Sequence, residues 1–296
     1  MKKRYIFLLL FIGIHIPIGY WFFNSPMTVS DDDDTYEFFN ELGLECTVGN
    51  DSIHGHPLRW VEVSTIDSDS LPIVIMTHGA PGAANNFFQF SSDTSLLKHA
   101  RMISIDRLGY SPDDQGNSEV SIQKQSEAIA KVLSHYSYPY VIAVGHSYGG
   151  PITSAFVLNN PEKVKAAVLL APAISPDEER DFAIVKFTEW SVTKWAVPAF
   201  FMVAAAEKKA HEAELRRMLP KWNSVQTPFI HVHGTDDRIV PYENISFSQE
   251  MIPDSLLTIV TIDGGSHMTP WSDEEKVTEI LLGLLDKSDQ ERSSIN

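Results

Sequence analysis

Cysteine is almost absent from this sequence, and basic residues are scarce. The 296 residues include one cysteine, Cys46, which excludes an intrachain disulfide and a zinc or iron–sulfur site built on several thiolates. Lysine and arginine together number 23, against 39 aspartates and glutamates, so the formal net charge is −16. A nucleic-acid-binding protein needs a basic surface to neutralise phosphates. We therefore expect no nucleic-acid partner.

The acidic excess is not spread evenly along the chain. Residues 1–30 contain three basic residues, Lys2, Lys3 and Arg4, and no acidic one. Residues 5–23 follow without a formal charge, and at about 1.5 Å per residue they could cross a hydrocarbon core of about 30 Å. Because a positive flank stays in the cytoplasm, we expect a single-pass membrane anchor with the remaining chain outside the cytoplasm. The alternative is a cleaved signal peptide, which would leave the protein secreted or periplasmic.

Beyond residue 44, short apolar runs alternate with amphipathic segments. The runs are typical of buried strands, and they lie at 58–65, 72–77, 102–106, 140–145, 165–170, 228–233 and 256–262. Helical patterns occupy 120–135, 150–159 and 273–285. This alternation predicts an α/β fold, with a mostly parallel sheet flanked by helices. Residues 175–223 contain no strand pattern and are predicted to form a small helical cap.

The patterns give a predicted domain layout. We expect a transmembrane anchor at 1–24, an acidic spacer at 25–43, an α/β core at 44–174 and 224–287, the cap at 175–223 and a polar tail at 288–296. The four consecutive aspartates at 31–34 are interpreted as part of a solvated spacer.

The segment Gly145-His146-Ser147-Tyr148-Gly149 lies between a predicted strand and a predicted helix. Its G-x-S-x-G pattern is typical of a sharp strand-to-helix turn that exposes a serine hydroxyl, and small residues are needed where the backbone turns back on itself. Ser147 is therefore the candidate nucleophile.

A serine hydroxyl needs a general base, which is itself oriented by a carboxylate. In sheets of this kind the acid and then the histidine follow the serine along the chain. Asp236 and Asp237 follow the apolar run at 228–233, and His267 follows the run at 256–262. Both loops come after strands, at the sheet edge where α/β sites assemble.

These motifs resemble those of the α/β-hydrolase superfamily over roughly residues 45–287. The resemblance rests on His78-Gly79-Ala80-Pro81-Gly82, Asp106-Arg107-Leu108-Gly109-Tyr110-Ser111, the turn at Ser147, Asp237-Arg238-Ile239-Val240-Pro241 and Gly264-Gly265-Ser266-His267. It implies the α/β-hydrolase fold. The segment that begins at Asp106 resembles a structural corner of the family, and we expect no catalytic role for it.

The resemblance also implies roles for individual residues. His267 would be the base, and Asp237, in preference to its neighbour Asp236, would be the acid of a catalytic triad. The backbone N–H groups of Ala80 and Tyr148 would form the oxyanion hole that stabilises a tetrahedral intermediate.

The predicted function is hydrolysis of a carboxylic ester through an acyl-enzyme, with no cofactor and no metal ion. The substrate would be a small-molecule ester or amide. Apolar cap residues such as Trp190 and Phe200 suit an apolar substrate, although a cap must bury an apolar face in any case. The sequence does not predict the oligomeric state. The histidine pairs His54/His56 and His231/His233 are expected to be structural, with metal binding as the alternative.

Two other functions stay open. The loop at 78–82 is similar to the His-Gly-Gly-Pro-Gly loop of proline iminopeptidases, and an exopeptidase of that kind would need an acid of the cap, Glu207 or Glu212, to bind a free amine. In a different class, the chain could be a non-catalytic α/β-hydrolase domain that acts as a binding protein.

Overall fold

An eight-stranded sheet runs through the centre of the protein, whose computed structural model describes residues 30–65, 70–180, 188 and 197–293. The strands are β1 (Cys46–Ile53), β2 (His56–Val63), β3 (Ile73–Thr77), β4 (Arg101–Asp106), β5 (Val141–His146), β6 (Val164–Leu170), β7 (Phe229–Gly234) and β8 (Leu257–Ile262). Their order in the sheet is β1-β2-β4-β3-β5-β6-β7-β8. Strand β2 is antiparallel to both of its neighbours, and the strands from β4 to β8 are parallel.

Helices cover both faces of this sheet. In chain order they are α1 (Asp32–Glu41), α2 (Phe88–Ser91), α3 (Thr94–Leu97), α4 (Ile122–Leu133), α5 (Gly149–Asn159), α6 (Ala199–Met218), α7 (Asn244–Met251), α8 (Thr269–Ser272) and α9 (Glu274–Ser293). Successive side chains of β5 point to opposite faces of the sheet. Val141 and Ala143 pack with α4 and α5 on one face, and Ile142 and Val144 pack with α9 on the other. The predicted mostly parallel sheet with flanking helices is confirmed.

Strand β1 was not predicted from the sequence. It forms an edge hairpin with β2 through the turn at His54 and Gly55, both of which have positive φ angles. Its residues are only half-buried and include few apolar side chains, so the usual signal of a strand is weak. Gly49 is required there, because a Cβ atom at this position would lie 2.1 Å from the indole of Trp60.

Residues 32–41, predicted as part of a solvated spacer, form α1 instead. The Asp31 carboxylate caps this helix by accepting a hydrogen bond of 2.9 Å from the Asp34 amide. The acidic first turn is favourable at the positive end of a helix. Phe39 is buried in the core, and Asp32 pairs with Arg59 of β2 at 2.8 Å. The aspartates are exposed, but the segment is part of the folded domain.

Several predicted segments fall wholly or partly outside the described residues. They include the anchor at 1–24 and the cap residues 181–187 and 189–196. Within the described part of the chain, no helix has both the length and the hydropathy that a membrane span requires. Within the described part of the predicted cap, residues 199–223 lie in α6 and a 3-10 helix at Leu219–Ser224, whereas residues 175–180 and 197–198 form no helix. Helix α9 extends to Ser293, into the predicted polar tail.

Candidate active site

Ser147 occupies a strained turn at the carboxyl end of β5. Its φ angle is +52°, in the left-handed region that costs a residue other than glycine about 1–2 kcal/mol. Backbone hydrogen bonds hold this conformation. The Ser147 amide donates to the Leu170 carbonyl at 3.0 Å, and the Ser147 carbonyl accepts from the amides of Gly150 and Ala173.

The two glycines of the turn leave no room for a side chain. A Cβ atom at Gly145 would lie 2.5 Å from the Gly149 carbonyl oxygen, and one at Gly149 would lie 2.2 Å from the carbonyl oxygen of Thr77. Because these neighbours are backbone atoms of adjoining elements, they cannot move aside. The local sequence therefore fixes the close packing of β5, α5 and β3 around Ser147.

The structure brings Asp237 and His267 together at the ends of β7 and β8. The Nδ1 atom of His267 lies 2.7 Å from Oδ2 of Asp237. The other carboxylate oxygen, Oδ1, accepts hydrogen bonds of 2.8 Å from the amides of Ile239 and Val240. Asp236 is exposed, so geometry favours Asp237 as the partner of the histidine.

Asp237 is held as an anion. Burial alone would raise the pKa of this carboxyl, but hydrogen bonds from His233 and His267 outweigh burial and hold its pKa well below the usual value. A buried carboxylate in contact with an imidazole orients the ring and stabilises its protonated form.

His146 lies beside His267 but is not placed to serve as the base. The two rings are 4.8 Å apart, and Nε2 of His146 lies 3.2 Å from the backbone carbonyl oxygen of His267. Burial, followed by the charge of His267, lowers the pKa of His146 to about 3. His146 is therefore neutral near pH 7, and it packs as a wall between His267 and Trp271.

The loop at 78–82 lies directly against the serine. A Cβ atom at Gly79 would be 3.0 Å from Cβ of Ser147. Arg107 fixes this loop from the corner after β4, because its Nη2 donates to the Gly79 carbonyl at 2.9 Å and its amide donates to Nε2 of His78 at 3.1 Å. Ala80 lines the same cavity as Ser147 and Tyr148. The predicted oxyanion-hole residues, Ala80 and Tyr148, thus line the same cavity as the candidate nucleophile.

Arg107 also contacts the cap, which sequence reasoning missed. Its guanidinium pairs with Glu207 of α6 at 2.5 and 3.2 Å, and the Tyr110 hydroxyl donates to the same carboxylate at 2.7 Å. All three side chains are buried. Arg107 and Glu207 are 100 positions apart in the chain, so no local pattern could have paired them.

A cavity of about 210 Å³ lies between the sheet edge and α6. Its floor contains Ser147 and Tyr148, and the cap contributes Phe201 and His211. Its other lining residues are Ala80, Pro81, Ala173, Glu178, Glu179, Arg180, Ala204, Ala205, Lys208, Ile239, Val240, Pro241 and Asn244. The lining therefore combines apolar side chains with several charged ones.

The two histidine pairs considered for metal binding have other partners. His54 contacts Glu127 at 2.6 Å, and His56 contacts Asp114 at 2.7 Å. The second pair forms a buried line of hydrogen-bonding side chains that reaches the candidate acid, Asp237: Ser248, His231, His233 and Asp237. In the part of the chain that the structure describes, no cluster of three or more histidine, cysteine or acidic residues could hold a metal ion.

Comparisons with known proteins agree with this architecture. Residues 72–193 match a family described as "alpha/beta hydrolase fold". A probable 1-acylglycerol-3-phosphate O-acyltransferase of Oryza sativa subsp. japonica is 31% identical over 126 residues, which cover 39% of this chain and 29% of that protein. A proline iminopeptidase of Lactobacillus delbrueckii subsp. bulgaricus is 25% identical over 107 residues, 34% of this chain and 36% of that protein. The matched region thus spans about a third of these relatives.

A solved structure extends the likeness in fold. The esterase EaEST from Exiguobacterium antarcticum superposes with a TM-score of 0.63 at 20% identity, over 81% of this chain and 99% of that one. At this level of identity the likeness concerns the fold alone. The predicted resemblance to α/β hydrolases is confirmed.

Proposed function

We propose that this chain, which has the α/β-hydrolase fold, is a serine hydrolase that cleaves a carboxylic ester. The proposal rests on the 2.7 Å contact between Asp237 and His267, at the sheet edge where Ser147 lines a cavity. A strained serine, an oriented imidazole and a buried carboxylate are the parts that acyl transfer requires.

The geometry suggests a role for each group. Because Nδ1 of His267 donates to Asp237, its Nε2 is free to take the proton of the Ser147 hydroxyl as the oxygen attacks the carbonyl carbon. The amides of Ala80 and Tyr148 would donate to the negative oxygen of the tetrahedral intermediate. His267 then gives its proton to the leaving alcohol. Water, activated by the same imidazole, releases the acid and restores the serine.

Exopeptidase activity is the second candidate, and the match to a proline iminopeptidase is the observation that favours it. The two predicted amine-binding acids fit it poorly. Glu207 is buried in its ion pair with Arg107, and Glu212 is exposed and pairs with Arg216 at 2.9 Å. Glu179 does line the cavity, but it already pairs with Lys208 and His211. Ester hydrolysis therefore needs fewer additional assumptions.

A fluorophosphonate probe tests whether the serine is active. We expect the wild-type protein to be labelled and Ser147→Ala to remain unlabelled. Ser154→Ala is a matched control, because Ser154 is buried on α5 and its hydroxyl donates to the Gly150 carbonyl at 2.9 Å. A folded wild-type protein that resists labelling would support the non-catalytic alternative. Parallel assays with p-nitrophenyl esters and a proline arylamide then separate the two hydrolytic activities.

For the membrane anchor, we propose that residues 5–23 hold the catalytic domain outside the cytoplasm, as their charge pattern suggests. In a cell that makes the full chain, the protein should stay with membranes after alkaline carbonate washing. External protease should digest it when the cytoplasmic membrane is intact. Recovery of a soluble exported form that has lost its first residues would instead indicate a cleaved signal peptide.

A further inference from the structure

The chain enters the described domain at the edge of the sheet where the parallel strands end, which we call the carboxyl edge. Arg59 of β2 pairs at 2.8 Å with Asp106, the last residue of β4, and also at 2.8 Å with Asp32 in the first turn of α1. Ser30, where the described part of the chain begins, accepts a hydrogen bond of 2.9 Å from the Asn85 side chain. Asn85 lies in the segment that follows β3. The entry point at Ser30 and the candidate active site therefore share one edge of the sheet.

A short series of contacts connects this entry point with the candidate base. The backbone carbonyl of Asn86, the neighbour of Asn85, accepts a hydrogen bond of 2.8 Å from the indole of Trp271. The Trp271 ring contacts the His146 ring with centroids 4.9 Å apart. The His146 ring lies in turn 4.8 Å from that of His267. Only a few side chains therefore separate the start of the described chain from the candidate triad.

The segment between the proposed anchor and this entry point is short. Six residues, 24–29, separate the apolar run at 5–23 from Ser30. An extended chain spans at most about 3.6 Å per residue, so these six residues reach about 20 Å. A folded domain of roughly 260 residues has a radius of gyration of about 18 Å and a diameter of about 45 Å. Because the tether is shorter than half of this diameter, it favours an orientation in which the carboxyl edge faces the membrane.

Two exposed apolar side chains lie at the same edge, beside the candidate acid and base. Ile239 is 45% exposed and lines the cavity, and Met268 is 42% exposed and directly follows His267 in the chain. Because Asp237 and His267 are in contact at 2.7 Å, both apolar side chains lie close to the cavity. Exposed apolar groups around a binding cavity are suited to contact with a membrane surface.

The charges at this edge indicate which kind of membrane it would face. Asp33 and Asp34 are exposed in the first turn of α1, and Asp236 and Asp263 are exposed in the loops after β7 and β8. An anionic membrane surface would repel these carboxylates. A zwitterionic surface avoids this repulsion, and the acids would then stay at the level of the lipid headgroups.

We propose that the carboxyl edge faces the zwitterionic membrane that holds the anchor, and that Ser147 cleaves esters dissolved in this membrane. This inference rests on both the proposed hydrolase function and the proposed anchor. A long acyl chain partitions into the bilayer and leaves its ester group near the headgroups. The short tether keeps the cavity close to that level, so the substrate need not pass through water.

Site-directed fluorescence tests the orientation. The full chain carries one cysteine, so Cys46→Ser gives a background for labelling single sites. In this background, Met268→Cys places a polarity-sensitive fluorophore at the carboxyl edge, and Ser255→Cys places it before β8 at the opposite edge. We reconstitute both proteins in phosphatidylcholine vesicles that contain a headgroup nitroxide lipid. The emission from position 268 should shift to the blue and be quenched, whereas the emission from position 255 should show neither effect.

A change of tether length tests the source of the substrate. A rigid helical spacer of 30 residues, six EAAAK repeats between Pro26 and Met27, adds about 45 Å, and a 30-residue Gly-Ser spacer is the flexible control. The probes are 4-methylumbelliferyl oleate in the vesicles and 4-methylumbelliferyl acetate in water. The rigid spacer should lower hydrolysis of the oleate by about 10- to 100-fold, because it reduces the effective concentration of membrane ester at the cavity. Hydrolysis of the acetate should not change, and the flexible spacer should retain more activity on the oleate.

The outcomes separate this inference from the proposals on which it rests. Equal quenching at the two positions, or stronger quenching at 255, would overturn the orientation and leave the hydrolase function intact. Unchanged oleate hydrolysis with the rigid spacer would overturn the membrane as the source of substrate. Failure of the full chain to float with the vesicles would refute the anchor, and this inference with it. Absence of fluorophosphonate labelling would refute the hydrolase function, whereas the fluorescence measurement would still report the orientation.

Discussion

Removing one partner of the buried ion pair between Arg107 and Glu207 should strongly destabilise the protein. The two side chains are 1% and 0% exposed, so each charge depends on the other for compensation. Replacing Glu207 with alanine would leave the Arg107 cation buried, with the Gly79 carbonyl as the one acceptor that its guanidinium retains among the described residues. It would also remove the acceptor of the Tyr110 hydroxyl. Breaking a buried pair from one side typically costs about 3–5 kcal/mol. We expect Glu207→Ala to lower the free energy of unfolding by that amount.

Urea unfolding followed by circular dichroism and tryptophan fluorescence measures this effect. Glu212→Ala supplies a control on the same helix, because the Glu212 carboxylate is exposed and its pair with Arg216 is worth about 0–1 kcal/mol. The double replacement Arg107→Met with Glu207→Leu should recover most of the loss, since no charge remains buried. The reasoning would be refuted if Glu207→Ala and Glu212→Ala differed by less than about 1 kcal/mol.

Three further predictions concern the triad, the turn and pH. Asp237→Asn should lower kcat by about 10⁴-fold, whereas Asp236→Asn changes it little; the opposite pattern would reassign the acid. Gly149→Ala should abolish soluble, folded protein in an expression test, because its Cβ atom would lie 2.2 Å from a carbonyl oxygen. Gly283→Ala is the control, because a Cβ atom at this position in α9 has no neighbour within 4 Å among the described residues, and it should stabilise the protein by about 0.5–1 kcal/mol. Burial lowers the pKa of the His146 imidazole from 6.5 to about 3. Between these two pH values the imidazole is protonated in the unfolded chain and neutral in the folded protein. The contribution of His146 should therefore lower the free energy of unfolding by about 1.4 kcal/mol for each pH unit by which the pH falls. Urea midpoints at pH 7 and pH 5 that coincide would contradict this last prediction.

The parts of the fold that the sequence predicts are those with a strong local signal. Strands β3 and β5 are continuous apolar runs because both of their faces are buried, and the turn at Ser147 has a pattern that sterics alone require. Strand β1 gave no such signal, since an edge strand with one exposed face tolerates polar residues such as Asn50. The helical character of residues 32–41 was missed because four aspartates suggested a solvated segment, although an acidic first turn is also favourable in a helix.

The residues of the candidate site likewise fall into those that a local sequence pattern predicts and those that it does not. Ser147 is defined by its immediate neighbours, whereas the choice of Asp237 over its neighbour depended on the family resemblance, and the structure places that residue 2.7 Å from His267. The ion pair of Arg107 with Glu207 and the stacking of Tyr148 on His211 involve cap residues about 60 to 100 positions away along the chain. Such contacts are decided by how the cap packs on the sheet, which no short pattern encodes.

The position of Arg107 also has a consequence for how substrates reach the serine. One guanidinium binds both the carbonyl of Gly79, a residue that packs against Ser147, and the Glu207 carboxylate of α6. An outward movement of α6 would therefore break the contact that positions the loop at 78–82. The predicted oxyanion hole would then be disordered while the substrate binds. We therefore expect the substrate to reach Ser147 while α6 stays packed on the sheet. The loop at 78–82 would then keep its position throughout the reaction.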